Sequence, residues 1–152
     1  MMERSIGTRI YGVALIIFGV YNLLGAGNFK QFSFMFKGLA PFIIFSLYVF
    51  TIFYGISCVY CGTKILRLED WARKMIVALA SISVILGFLL NRIVIRNLKE
   101  FLLSEQSGIT PDMYSSVYAY TIFFIVIVTL FEVSIVFYFT RPNVIHQFKQ
   151  ES

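Results

Sequence analysis

Two features of this chain have residue types and spacing that could do chemistry. Cys58 and Cys61, in the stretch CVYC, are spaced as a dithiol or as half a zinc site, and Glu132 stands alone as a charge within residues 113–140. A closed zinc site takes four ligands. The chain has two cysteines and one histidine, His146 near its C-terminal end, so neither a metal nor another cofactor is expected. The bland reading of the pair is that of small, polarizable side chains packed in a helix.

Glu132 is harder to dismiss. A carboxylate near the middle of a membrane span costs about 2.5–3.5 kcal/mol or more, so it has to face the protein interior, find partners or carry a proton. Counting inward from Arg141 at 1.5 Å per residue places it about 13 Å deep. The same count on the other spans brings Gly19, Gly55 and Ser83 to that level, with Tyr54, Ser57 and Ser81 nearby. No basic residue lies within the uncharged runs to pair with Glu132. It is either helix glue, hydrogen-bonded to a serine or tyrosine, or a site that couples to a proton or solute.

The elements that must position these residues are set by the charges. Residues 10–29, 38–63, 75–91 and 113–140 are uncharged apart from Glu132, and each can cross a bilayer core of roughly 30 Å, which needs about 20 helical residues. The third is short, so Lys74 and Arg92 should snorkel. With 59% hydrophobic and 14% charged residues and a mean hydropathy of +0.81, the chain reads as all-α, a bundle of four transmembrane helices in one domain. Spans are expected over about 8–27, 40–64, 71–92 and 112–140. Amphipathic connectors lie between them at 28–38 and 93–104. In the first, Phe29, Phe32 and Phe36 share a helical face; in the second, Ile95, Leu98 and Leu102 do, and this stretch could equally continue the third span.

A formal net charge of +5 would suggest nucleic acid for a soluble protein, but here the basic residues border the spans and report topology. Arg4, Arg9, Lys64, Arg67, Arg73, Lys74, Arg141 and Lys149 fall on one side, and Lys30, Lys37, Arg92, Arg96 and Lys99 on the other. That bias places both termini in the cytoplasm of a cell-membrane protein. The first apolar run, after Arg4 and Arg9, also has the form of a signal peptide, though its length and the three spans that follow favour a retained helix. Trp71, with Arg73 and Lys74, suits an interface anchor.

At a shift of 70 residues, GLAPFIIFSLYVFTIFY (38–54) meets GITPDMYSSVYAYTIFF (108–124), and at a shift of 64, Arg9 and Val-Ala-Leu (13–15) meet Arg73 and Val-Ala-Leu (77–79). The halves read as two parallel two-helix repeats. Pro41 and Pro111 suit first helical turns, with Thr110 as a cap. Gly12 and Gly19, seven apart, mark a packing side of the first span together with Tyr11, Phe18 and Gly25.

Gly62, Leu66, Trp71, Ala72 and Arg73, with the closing YFTRPNVIHQF (138–148), resemble a loose group of small four-span bacterial membrane proteins that share a Trp-Ala-Arg start to the third span. That resemblance implies an envelope protein and supplies no catalytic residues. The cysteine pair is similar to those of membrane disulfide-forming oxidoreductases and vitamin K epoxide reductases, but those families use a second pair, which this chain lacks. No phosphate loop, Ser-His-Asp set or His-Glu zinc motif is present, so no enzyme is expected. The leading expectation is a non-enzymatic membrane module that packs against itself or a larger partner in the bilayer. The alternative is a small proton- or solute-coupled transporter using Glu132, and a weaker one a thiol oxidoreductase using Cys58 and Cys61.

Overall fold

A chain crossing hydrocarbon has to satisfy its backbone N–H and C=O groups within itself, and apolar runs of this length do so as helices. The computed structural model describes residues 6–102 and 111–149. These form α1 (Ile6–Gly25), α2 (Phe29–Met35), α3 (Pro41–Ile65), α4 (Asp70–Leu102), α5 (Pro111–Phe139) and α6 (Pro142–Lys149). Helices α1, α3, α4 and α5 are long and apolar enough to cross a membrane, so the protein is an all-α, four-span membrane protein. At most 28% of the apolar window of any span is buried within the protein. The outward residues, such as Ile10, Ile17, Phe53, Phe88 and Phe137, are large and apolar, a surface that only lipid solvates without penalty.

The hydroxyl of Thr8, near the start of α1, donates to Gln147 Oε1 on α6, which puts the first and last described helical segments on one face of the bundle. We call this the terminal face and the opposite one, which carries α2, the distal face. Proline stands in the first turn of α3, where no helical hydrogen bond needs its missing N–H. The stretch expected as a second connector continues the third span as far as Leu102, making α4 33 residues and roughly 50 Å long at about 1.5 Å per residue. Residues 103–110, with Gly108 and the Thr110 cap, lie outside the described residues.

α2 is tied to this distal extension. Asn97, buried, donates through Nδ2 to the carbonyls of Met35 (2.8 Å) and Lys37 (2.9 Å), the otherwise orphaned acceptors at the end of α2. Gly38 follows with a φ of +99°, a conformation L side chains rarely adopt, and turns the chain towards Pro41. The aromatic face of α2 covers α3: Phe29 and Phe32 pack edge-on to Tyr48 at 4.8 and 5.3 Å between ring centroids.

Helices α1 and α3 make the closest approach in the bundle. A Cβ added at Gly19 would lie 2.6 Å from the Gly55 carbonyl oxygen, and one at Gly62 would lie 2.8 Å from that of Gly12. Small residues permit such contact, and in lipid, where apolar surface alone does not drive helices together, this packing carries much of the association. α5 meets α1 through rings instead: Tyr11 stacks on Tyr138 at 4.4 Å and Phe18 meets Phe131 edge-on at 5.2 Å. Leu15, Cys58, Cys61, Ile65, Ile76, Ile135 and Phe139 fill the core between these helices.

Gly19→Ala should therefore destabilise the protein by about 1–3 kcal/mol, the usual cost of overpacking. Gly25→Ala, where an added Cβ meets nothing within 4 Å, should leave it unchanged. Thermal denaturation of the two variants in detergent, compared with the native chain, checks the contrast.

Candidate functional site

Tight packing stops at Glu132. On α5 no described residue before Glu132 is buried, α4 has none between Ala80 and Asn97, and α3 has none between Ile44 and Tyr54. Towards the terminal face the helices are sealed by the core; towards the distal face these stretches bury no described residue between them. The result is a cleft of about 270 Å³ lined by all four spans: Phe18 and Asn22 of α1, Phe50, Thr51 and Tyr54 of α3, Ser83 and Gly87 of α4, and Phe124, Thr129 and Glu132 of α5. A second space of about 240 Å³ shares Phe50, Thr51, Ser83, Gly87 and Ile125 with it and reaches Phe32 and Phe36 of α2. Either volume is well above the roughly 10–15 Å³ that one water needs by the same measure, so a small solute fits.

Glu132 forms the terminal end of this space and is itself 6% exposed. Its Oε1 accepts from Ser83 Oγ at 2.8 Å, a bond that joins α5 to α4. Tyr54 lies beside the carboxyl and the Cys58 thiol, and its hydroxyl interacts with both without closing a hydrogen bond of good geometry to either. Thr51 and Thr129 donate back to the carbonyls of Leu47 and Ile125 on their own helices, and Asn22 to Phe18, which leaves their oxygens available to accept. The structure thus brings together Glu132, Ser83 and Tyr54 of the expected polar layer, with Gly19 and Gly55 touching at the same level. Ser57 is buried on α3, and Ser81 turns back to the Val77 carbonyl instead of joining Glu132.

Cys58 and Cys61 are free thiols, both fully buried in the core on the terminal side of Tyr54. Neither lines the cleft, and among the described residues no three His, Cys, Asp or Glu side chains group as metal ligands would.

The three residues expected as an interface anchor part company. Trp71 is 41% exposed, with its ring 5.6 Å from Tyr60. Lys74 is exposed and pairs with Asp70 at 2.6 Å. Arg73 does not reach for headgroups: it is buried, paired with Asp70 at 2.7 Å, and donates to the Phe139 carbonyl at 3.0 Å while its guanidinium lies over the Phe148 ring. A cation at the C-terminal end of α5 meets both an orphaned carbonyl and the negative end of the helix dipole. α6 was not foreseen in the sequence. Pro142 opens it, Val144 and Phe148 on one face enter the core, and Phe148 packs edge-on to Phe139, so α6 covers the terminal end of the bundle.

The turn between α3 and α4 carries the anchor's electrostatics. Leu68 takes a φ of +59°, which costs a side chain energy, and Glu69 offsets it by accepting from Lys64 Nζ at 2.9 Å and Trp71 Nε1 at 2.7 Å. The hydrogen bond from Lys64, then that from Trp71, holds the Glu69 carboxyl below its ordinary value of 4.5. Because the folded value is the depressed one, these bonds stabilise the turn fully above pH 4.5 and are lost as pH falls through the folded value. Trp71 is the sole tryptophan, so its fluorescence should titrate with a midpoint below 4.5, and Glu69→Gln should abolish that transition. No family model, curated protein or solved structure matches this chain, and the site has to be read from its own geometry.

Proposed function

We propose that this multi-pass membrane protein binds a small solute in the cleft between its four spans and couples that binding to a proton on Glu132. The observation that carries this reading is where the core ends. A carboxyl that served only as helix glue would be enclosed on all sides, as Cys58 and Cys61 are, whereas Glu132 stands at the floor of a cleft large enough for a solute.

The coupling follows from electrostatics. With the cleft empty, an unpaired carboxylate at this depth is costly, so Glu132 holds its proton and the bundle stays neutral there. Charge appears on Glu132 only when something else in the cleft compensates it. Ser83 serves both states, since its hydroxyl donates to a carboxyl oxygen whether or not the proton is present. The basic residues bordering the spans favour cytoplasmic termini, which makes the cleft open to the outer side, with α6 and Arg73 closing the inner one. The Ser83 bond also ties α4 to α5, so the structural and coupling roles of Glu132 coexist. The space between the distal halves of the four spans is what gives a small solute room.

Dicyclohexylcarbodiimide, an apolar reagent that adds to protonated carboxyls, tests the reading without knowledge of the solute. Applied to the protein in phosphatidylcholine vesicles, it should modify the peptide containing Glu132, with the adduct absent from Glu132→Gln. Mass spectrometry showing Glu132 unmodified while the reagent is in excess would refute a reachable, protonated carboxyl and return the residue to helix glue.

A further inference from the structure

Resting on the cleft reading, we propose that the solute is a lipophilic amine that enters from the membrane as the free base and takes the proton of Glu132. The chemistry of the walls selects for it. Among the described residues Glu132 is the one carboxyl lining the cleft, and no basic side chain lines either part of it. Phe18, Phe50, Tyr54 and Phe124 put aromatic rings around it, and ring faces attract cations while ring area solvates an apolar body. The hydroxyl of Tyr54 lies beside the Glu132 carboxyl, and Tyr54 lines the cleft with it. A hydroxyl oxygen accepts from an ammonium N–H, so one ammonium can donate both to the Glu132 carboxylate and to Tyr54. An anionic solute would bring a buried charge with no cation in the cleft to balance it, and a neutral solute without a basic nitrogen would leave the proton where it is.

The binding step balances as an acid–base reaction. The O–H bond of the Glu132 carboxyl breaks, the nitrogen lone pair of the amine takes that proton, and an ammonium–carboxylate pair remains in place of two neutral groups. No other proton donor or acceptor is needed. The titratable side chains facing Glu132 are Tyr54 and Cys58, both from α3; α4 presents Ser83 and α1 presents Phe18 and Asn22, none of them charged. A free base is also the form that dissolves in lipid, and the structure offers it a side entrance. Gly87 lies on the seam between α4 and α5, where an added Cβ would meet nothing within 4 Å. Along that seam a groove lined by Phe88, Asn91, Ile122, Ile125 and Thr129 shares Gly87 with the cleft.

The test uses the full chain in phosphatidylcholine nanodiscs with three probes of similar shape: 1-naphthylmethylamine, 1-naphthylmethanol and 1-naphthylacetate. Equilibrium dialysis should show saturable binding of the amine, with the alcohol and the acid weaker by about tenfold or more. Glu132→Gln keeps a polar partner for Ser83 and should lower amine binding to the level of the alcohol. Gly87→Leu has free space for its side chain, so it should fold normally and yet obstruct the cleft, weakening the amine by a similar factor. Equal binding of amine and alcohol, both lost in Gly87→Leu, would overturn the amine assignment and leave the solute cleft standing. Amine uptake indifferent to both substitutions, or no uptake above that of empty nanodiscs, would also overturn it, while the carbodiimide reaction judges the cleft itself separately.

Discussion

Contact between the backbones of α1 and α3 is the constraint on which the rest of the bundle depends. In water, burying apolar side chains would hold two helices together; in lipid that gain vanishes, and close packing of backbones and small side chains has to replace it. Gly12 and Gly62, and Gly19 and Gly55, bring the two helices to where each glycine lies on the other helix's main chain. The large residues that flank these glycines are then free to turn elsewhere. Tyr11 and Phe18 turn towards α5 and reach it through rings, so α5 stands off from α1 by the thickness of aromatic side chains. That spacing gives the cleft its width at the level of Phe18 and Phe124.

The α4–α5 pair is held by different means. Where the first pair has two glycines against backbone, the second has a hydroxyl and a carboxyl bonded to each other. A single polar bond pins one level and leaves the seam beyond it open, and on the distal side Gly87 adds no side chain to fill it. On the terminal side divergence is prevented by Arg73, which binds Asp70 at the start of its own helix and the Phe139 carbonyl at the end of α5 at once, and by α6 laid over both. The asymmetry between a sealed and an open half therefore follows from where the clamps are placed.

The spans were legible because charge and hydropathy are local properties of a sequence: a run between Lys37 and Lys64 states its own environment. That Glu132 shares its level with Ser83, near Tyr54, Ser57 and Ser81, was legible too, since depth in a membrane can be counted along each helix from its charged border. What depth does not give is azimuth. Ser81 and Ser83 sit at nearly the same level, and only the packing decides that one faces α5 and the other bonds to its own backbone. Arg73 was misread for a related reason. Its position beside Trp71 and Lys74 suggested headgroups, but the first turn of a helix points in all directions, and Asp70 three residues before supplied the counter-charge that lets an arginine turn inward. α6 had visible signals, with Pro142 at a helix start and Val144 and Phe148 four apart; after the last span they read as a tail. Asn97 lay in a stretch whose charges drew attention to the headgroup layer, and only the position of α2 shows what it binds.

The position of Tyr54 bears on how the carboxyl is poised. A carboxyl with two or three well-aligned protein donors is held charged, as fixed structure. Ser83 supplies one such donor, and the Tyr54 hydroxyl lies beside the carboxyl without closing a second bond of good geometry. One firm donor orients the carboxyl across the α4–α5 seam but does little for a buried charge, on a level where four helices stop packing. On the proposed reading, the solute in the cleft supplies the balance, and charge on Glu132 follows occupancy.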